Sequence, residues 1–279
     1  MKYELTDETM TTDDGVTFRR IRALEAFSGV QQGDLGGWIE TEDNLSHEGE
    51  AWVYGDARVY GDARVFGDAE VFGDAKVYGY AQVYGNAEVF GNAKVFGNAE
   101  VFDSAWVFGD AEVFDSAWVY GNAKVFGNAK VFGDAVVFDS AWVYGNAEVF
   151  GNAKVYGNAE VFGNAKASNN AKVYGDAEVY GNAEVYGNAE VHDDAQVYGN
   201  AKVLGDTLLT RFLSANRSDG YTFTLLPMAD GSMQVSAGCR LFSFEEAREH
   251  WTRTRGGTPL GDETMMILDY LERAASAFK

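Results

Sequence analysis

From Val53 to Val203 the chain cycles through one block, Val, Tyr or Phe, Gly, Asp or Asn, Ala and a sixth variable residue, 26 times without insertion or deletion. The valine slot fails once, at Ala167, and the alanine slot, Ala51 through Ala201, never fails. Internal repetition this regular decides the fold class ahead of any propensity. The variable slot holds Lys, Glu, Arg, Gln and Trp in all copies but one, Val136, and therefore faces mostly water. Alternation along a short strand then turns the valine inward and the aromatic outward. The glycine slot holds Gly in 21 copies, and its exceptions are Asp103, Asp115, Asp139, Asn169 and Asp193. Asp and Asn are the non-glycine residues that best tolerate positive φ, so this slot predicts a left-handed corner. The following Asp or Asn suits the same turn. The alanine points inward where the corner leaves little room.

Strands this short, turned every six residues, fit a three-sided coil with about 18 residues per rung. The variable-slot residues 18 apart support that count: Lys94, Glu112, Lys130, Glu148, Lys166, Glu184 and Lys202 alternate in sign without a break. Stacked rungs would make them neighbours in one column. Trp52, Trp106 and Trp142 are also separated by multiples of 18. The hexads amount to nearly nine rungs, a coil on the order of 40 Å long.

The expected architecture is mainly β, with an N-terminal cap (1–50), the coil (51–206) and a small α+β unit (207–279). Gly49 is in phase with the glycine slot and Leu45 with the alanine slot, which predicts a coil starting one hexad early. Residues 16–24 read as a strand, and residues 36–39 as a plug for the first rung. Further on, 221–226 and 233–237 read as two strands. Ser243 and Glu246 form a capping-box pattern that opens a helix to about Thr252, ended by Gly256, Gly257 and Pro259. A last helix from Asp262 carries Ile267, Leu268, Leu271, Ala274 and Phe278 on one stripe. This unit suits either a cap or a docking module.

At this point the hexads and their flanks carry a resemblance. The repeat is similar to the left-handed parallel β-helix of the hexapeptide-repeat superfamily, best known from acyltransferases. GDLGGWIETEDNLSHEGEAWVYGDARVYGDA (33–63) and GYTFTLLPMADGSMQVSAGCRLFSFEEA (220–247) resemble hexapeptide-repeat proteins of tailed phages and prophages. The resemblance implies the fold and a preference for trimers. Few of those phage proteins have an assigned activity.

Charge narrows the partner class. The formal net charge is −21, which argues against direct binding to nucleic acid or an anionic membrane. A solubility device, a basic protein partner or mimicry of nucleic acid all remain open. Residues 1–75 hold 17 acids against 6 bases, with Asp56, Asp62, Asp68 and Asp74 around the first rungs. The one cysteine, Cys239, excludes an internal disulfide and is compatible with a reducing cytoplasm. Without a secretory signal or an apolar run of membrane-spanning length, the chain reads as soluble and intracellular.

Candidate chemistry is sparse. An acyltransferase needs a catalytic histidine at a coil edge and usually a loop protruding over the substrate, and the repeat has no insertion. His192 takes an outward aromatic slot, while His47 and His250 lie outside the coil. Cys239 with His250 lacks an oxyanion signature and a third group. Three histidines and one cysteine show no metal-ligand spacing, and the glycine turns open no helix that would cradle phosphate. The expectation is no catalytic residue, no metal and no cofactor.

Two surface features stand out. Tyr or Phe fills 23 of 26 outward slots, giving three columns of rings that stack on themselves or are buried in an oligomer, a trimer being favoured. The variant FDSAW occurs at 102–106, 114–118 and 138–142 and places a Trp in the variable slot. The candidate partner-binding residues are therefore Trp52, Trp106, Trp118, Trp142, Asp56, Asp62, Asp68 and Asp74. The leading expectation is a non-enzymatic binding protein of a bacterial host cytoplasm, an accessory or anti-defence factor that competes for a basic surface. A virion component and an acyltransferase are the alternatives.

Overall fold

The computed structural model describes residues 1–238 and 240–276, so Cys239 and Phe278 lie outside the described residues. The chain is mainly β, a parallel β-solenoid of about 10 turns at 18 residues per turn, with a small C-terminal unit of sheet and helix. It divides into two compact units, Met1–Gly151 and Asn152–Lys279.

In the first unit each hexad contributes a two-residue strand made of the variable slot and the valine. Each strand pairs in parallel with its counterpart one turn on: Trp52 with Glu70, Arg58 with Lys76 and Arg64 with Gln82. Three strands complete a turn, so each lies in a different sheet. The valines and alanines fill the inside and are completely buried. The corners are left-handed. Gly67 sits at φ 70°, and the five non-glycine corners lie between φ 54° and 59°. Close approach adds to that demand, because a Cβ on Gly67 would stand 2.9 Å from the Gly85 nitrogen.

The backbone hydrogen bonds between turns share a polarity. Variable-slot, aromatic-slot and Asp/Asn-slot N–H groups all donate forward, as in Trp52 to Ala69, Tyr54 to Val71 and Asp68 to Gly85. The first turn is therefore left with carbonyls that no earlier turn supplies with donors, and buried carbonyls need partners.

The N-terminal segment supplies donors. Strands Tyr3–Thr11 and Thr17–Ala23 pair antiparallel, and Leu35–Ile39 pairs with the second of these. The other edge of Leu35–Ile39 runs parallel to Arg58–Val59, so the expected plug is itself a first-turn strand. Lys2 Nζ donates to the carbonyls of Ala51 (2.7 Å) and Gly49 (3.2 Å). Tyr3 Oη donates to those of Leu45 (2.8 Å) and Glu42 (3.1 Å). Asn44 Nδ2 donates to Gly61 and Ala63, each at 2.9 Å, in place of backbone N–H groups. One expectation is corrected here. Leu45 bridges to Val65 rather than Ala63 and so fills a valine place, because the 3₁₀ turn Glu42–Asn44 shifts the register before Gly49 restores it.

The second unit keeps the same register, with Lys154 opposite Lys172, Glu160 opposite Glu178 and Ala167 opposite Val185. After Leu208–Leu209 comes a four-stranded antiparallel sheet of Leu213–Asn216, Thr222–Pro227, Met233–Ala237 and Arg240–Phe242. The first and last of these were not evident in the sequence. Helix α1 (Phe244–Arg255) carries the expected capping box on Ser243 and Glu246 but runs past Thr252. Helix α2 (Pro259–Ala275) starts before Asp262: Thr258 is its N-cap and Pro259 occupies the first turn, where a missing N–H costs nothing. Ile267, Leu268 and Leu271 face the core as expected, and Ala275 rather than Ala274 completes the stripe. They pack on Phe223, Leu225, Val235 and Trp251. Arg217 is buried there, paired with Asp219 at 2.8 Å and lying 4.9 Å from the Trp251 ring centroid.

Candidate interaction surface

The aromatic slots face outward and, recurring once per turn on each face, stand directly above one another. Tyr60 stacks on Tyr78 at 4.9 Å, Phe66 on Tyr84 at 4.8 Å and Phe72 on Phe90 at 4.6 Å, with rings within 8° of parallel. The stacking distance is the strand spacing, so the repeat dictates it. Each ring is left half-buried. Burial pushes the Tyr54 and Tyr60 hydroxyls up to about 12, and for Tyr54 the neighbouring Glu70 adds to it. Tyr84 is also raised by burial and donates to Glu100 at 2.8 Å.

The three columns begin differently. Tyr54 is covered edge-on by Trp52 at 6.5 Å, and Tyr60 by Phe18 at 5.3 Å. Among the described residues no ring covers the N-terminal face of Phe66. That face opens on a cleft of about 430 Å³ with Glu42, Asp43, His47, Arg64 and Gln82 in its walls.

The tryptophans separate into two groups. Trp52 is a correction: it is 1% exposed, packed edge-on against Phe27 at 5.3 Å and Tyr3 at 6.2 Å. The N-terminal segment covers it, and it is a core residue of the first coil strand packed against that segment. Trp106, Trp118 and Trp142 are 36%, 45% and 38% exposed. Trp106 and Trp142 share a column with Lys124 between them. The Lys124 ammonium lies 4.7 Å from one indole and 5.0 Å from the other. Trp118 stands on another face, opposite Glu100 and Val136. The role of Lys124 was missed at the sequence level, although reading the variable slot at every third hexad places it between the two tryptophans.

Asp56, Asp62, Asp68 and Asp74 are all exposed at corners. The three-hexad turn puts Asp56 and Asp74 on one corner and gives Asp62 and Asp68 one each, so they ring the first turns. Asp68 accepts from the Glu50 N–H at 3.0 Å, and among the described residues none of the four forms an ion pair. The alternating column, by contrast, neutralises itself. Glu112 accepts from Lys94 at 2.9 Å and reaches Lys130 at 3.3 Å, and the Lys94 hydrogen bond holds the Glu112 carboxyl below its usual range.

In the second unit His192 takes a ring's place, stacked on Tyr174 at 5.0 Å, with Nδ1 3.3 Å from Asp193. His250 lies beside Arg240, within 3.4 Å. Burial, with Arg240 and Arg253 adding to it, holds its imidazole below its ordinary range. Among the described residues, no three His, Cys, Asp or Glu side chains come together as a metal would require.

Residues 51–67 and 57–72 match the family described as YdcK Beta solenoid repeat. No curated protein matches the chain. The matched stretch covers the first regular turns, which makes the chain similar to β-solenoid repeat proteins over that part.

Proposed function

We propose that this chain is a non-enzymatic scaffold that binds a protein with a basic surface, and that the ring of corner aspartates is where it does so. The carrying observation is that Asp56, Asp62, Asp68 and Asp74 stay exposed and, among the described residues, without ion pairs, in a segment (1–75) that holds 17 acids against 6 bases, whereas Glu112 and Glu184 are each paired with a lysine. Unmatched like charge adds nothing to folding and steers an oppositely charged partner. The finer reading is a left-handed, phage-type hexapeptide coil in a bacterial host cytoplasm, an accessory or anti-defence factor competing for a nucleic-acid-binding surface. Pull-down from a bacterial lysate tests it, with the Asp→Asn variant at all four positions as control. Capture of basic proteins that is lost in the variant and at about 1 M salt, where the Debye length is about 3 Å, is the expected result. Equal capture by the variant would refute it.

A second reading rests on Trp106, Trp118 and Trp142, exposed aromatics of the kind enriched in interfaces. On this reading the chain self-associates, with a trimer as the symmetric solution. Light scattering would give three times the chain mass of 30.4 kDa. A monomer at micromolar concentration would exclude it.

A further inference from the structure

The first rings of two columns meet an edge-on aromatic neighbour, Trp52 at Tyr54 and Phe18 at Tyr60, and the first ring of the third has none among the described residues. Phe66 heads that column, stacked below on Tyr84, with its upper face open to the cleft. The reason is local: Ser46 donates to the Val65 carbonyl at 2.9 Å, the bond an aromatic-slot residue makes elsewhere, so no ring stands above Phe66. A flat ring placed there would continue the stack at the spacing the strands impose, about 4.8 Å.

The walls define what the ring should carry. Glu42 and Asp43 are exposed and, among the described residues, their carboxylates form no ion pair. The guanidinium of Arg64, also in the walls, has no hydrogen-bond or ion-pair partner among the described residues, and it offers donors that suit main-chain carbonyls. His47 lines the cleft and is held there by stacking on Tyr3 at 4.2 Å. The volume, about 430 Å³, lies in the range of small-ligand sites and has room for an indole.

We propose that this cleft holds an aromatic side chain, with tryptophan fitting best, of a partner protein, flanked by basic residues that reach Glu42 and Asp43. The proposal rests on the protein-binding reading above and adds a specific anchor to it. Charge complementarity and the unfinished stack name the occupant together: the acids attract the flanking bases, and Phe66 receives the ring.

Isothermal titration with acetyl-Lys-Trp-Lys-amide, compared with acetyl-Lys-Ala-Lys-amide and acetyl-Glu-Trp-Glu-amide, tests it. The first peptide should bind at least tenfold more tightly than either control. Phe66→Leu should reduce it to the level of the alanine peptide, with thermal melting confirming that the variant folds. The double variant Glu42→Gln, Asp43→Asn should weaken it while leaving Phe66 in place. Equal binding of the tryptophan and alanine peptides, no effect of Phe66→Leu, or no binding at all would overturn the site. The two readings fail separately. If peptide binding depends on Phe66 but the lysate yields no basic partner, the anchor stands and the wider function falls. If capture depends on the corner aspartates but the peptides bind equally, the reverse holds.

Discussion

At Gly109 the backbone stands at φ 71°, and a Cβ there would lie 3.1 Å from the Gly127 nitrogen. Both the dihedral and the approach oppose a side chain. Gly109→Ala should cost about 1–2 kcal/mol, the usual penalty of a left-handed non-glycine residue. Gly109→Asn should cost less, because Asp103, Asp115 and Asn169 already occupy equivalent corners; urea denaturation ranks the two. Lys2 is the residue that sequence reasoning had no means to find. Its ammonium is buried to serve two carbonyls, and burial draws its pKa down to about 8 although Asp68, Glu25 and Glu50 oppose the shift. Lys2→Met should cost about 1–3 kcal/mol by leaving buried acceptors unpaired. Lys124→Met tests the other missed residue. Losing a cation between two indoles should lower stability by about 1 kcal/mol and change tryptophan emission, read by fluorescence during the same denaturation.

At the scale of elements, the tyrosine columns make stability sensitive to alkali. The Tyr54, Tyr60 and Tyr174 hydroxyls are raised to about 12 by burial, so the folded chain holds these protons longer than the unfolded chain does. Their contribution is fully present below pH 10 and is lost as pH rises toward 12. Lys2 acts in the opposite sense, its contribution being present above about pH 10.5 and lost toward pH 8. The melting midpoint should therefore fall across pH 10–12, and tyrosinate absorbance should appear later in folded than in urea-unfolded protein. Coincident titration in the two states would contradict this. The coil was legible in the sequence because one constraint, a left-handed corner every sixth residue, left its mark in Gly, Asp and Asn alone. The ends were legible only in part. Strand Tyr3–Thr11 alternates weakly, Leu45 occupies a valine place through a turn that is not periodic, and the fate of Trp52 depends on a segment remote in sequence. Pro259 reads in the sequence as the end of one helix, whereas that helix stops at Arg255 and Pro259 begins the next; position alone does not separate those roles.

For the whole molecule, the arrangement of the candidate surface follows from a single number, three hexads per turn. It puts Lys124 between Trp106 and Trp142, divides the corner aspartates among three edges, and leaves Phe66 at the head of its column. Nitroxide labels at Asp56→Cys and Asn128→Cys, in a Cys239→Ser background, measure it directly by electron–electron double resonance. Both positions fall in the Asp/Asn slot, and at 18 residues per turn they share a corner four turns apart. With strands spaced about 4.8 Å, the distance between them should centre on about 19 Å. A distance of about 29 Å, as two hexads per turn would give at the same spacing, would contradict the geometry and remove the surface built on it.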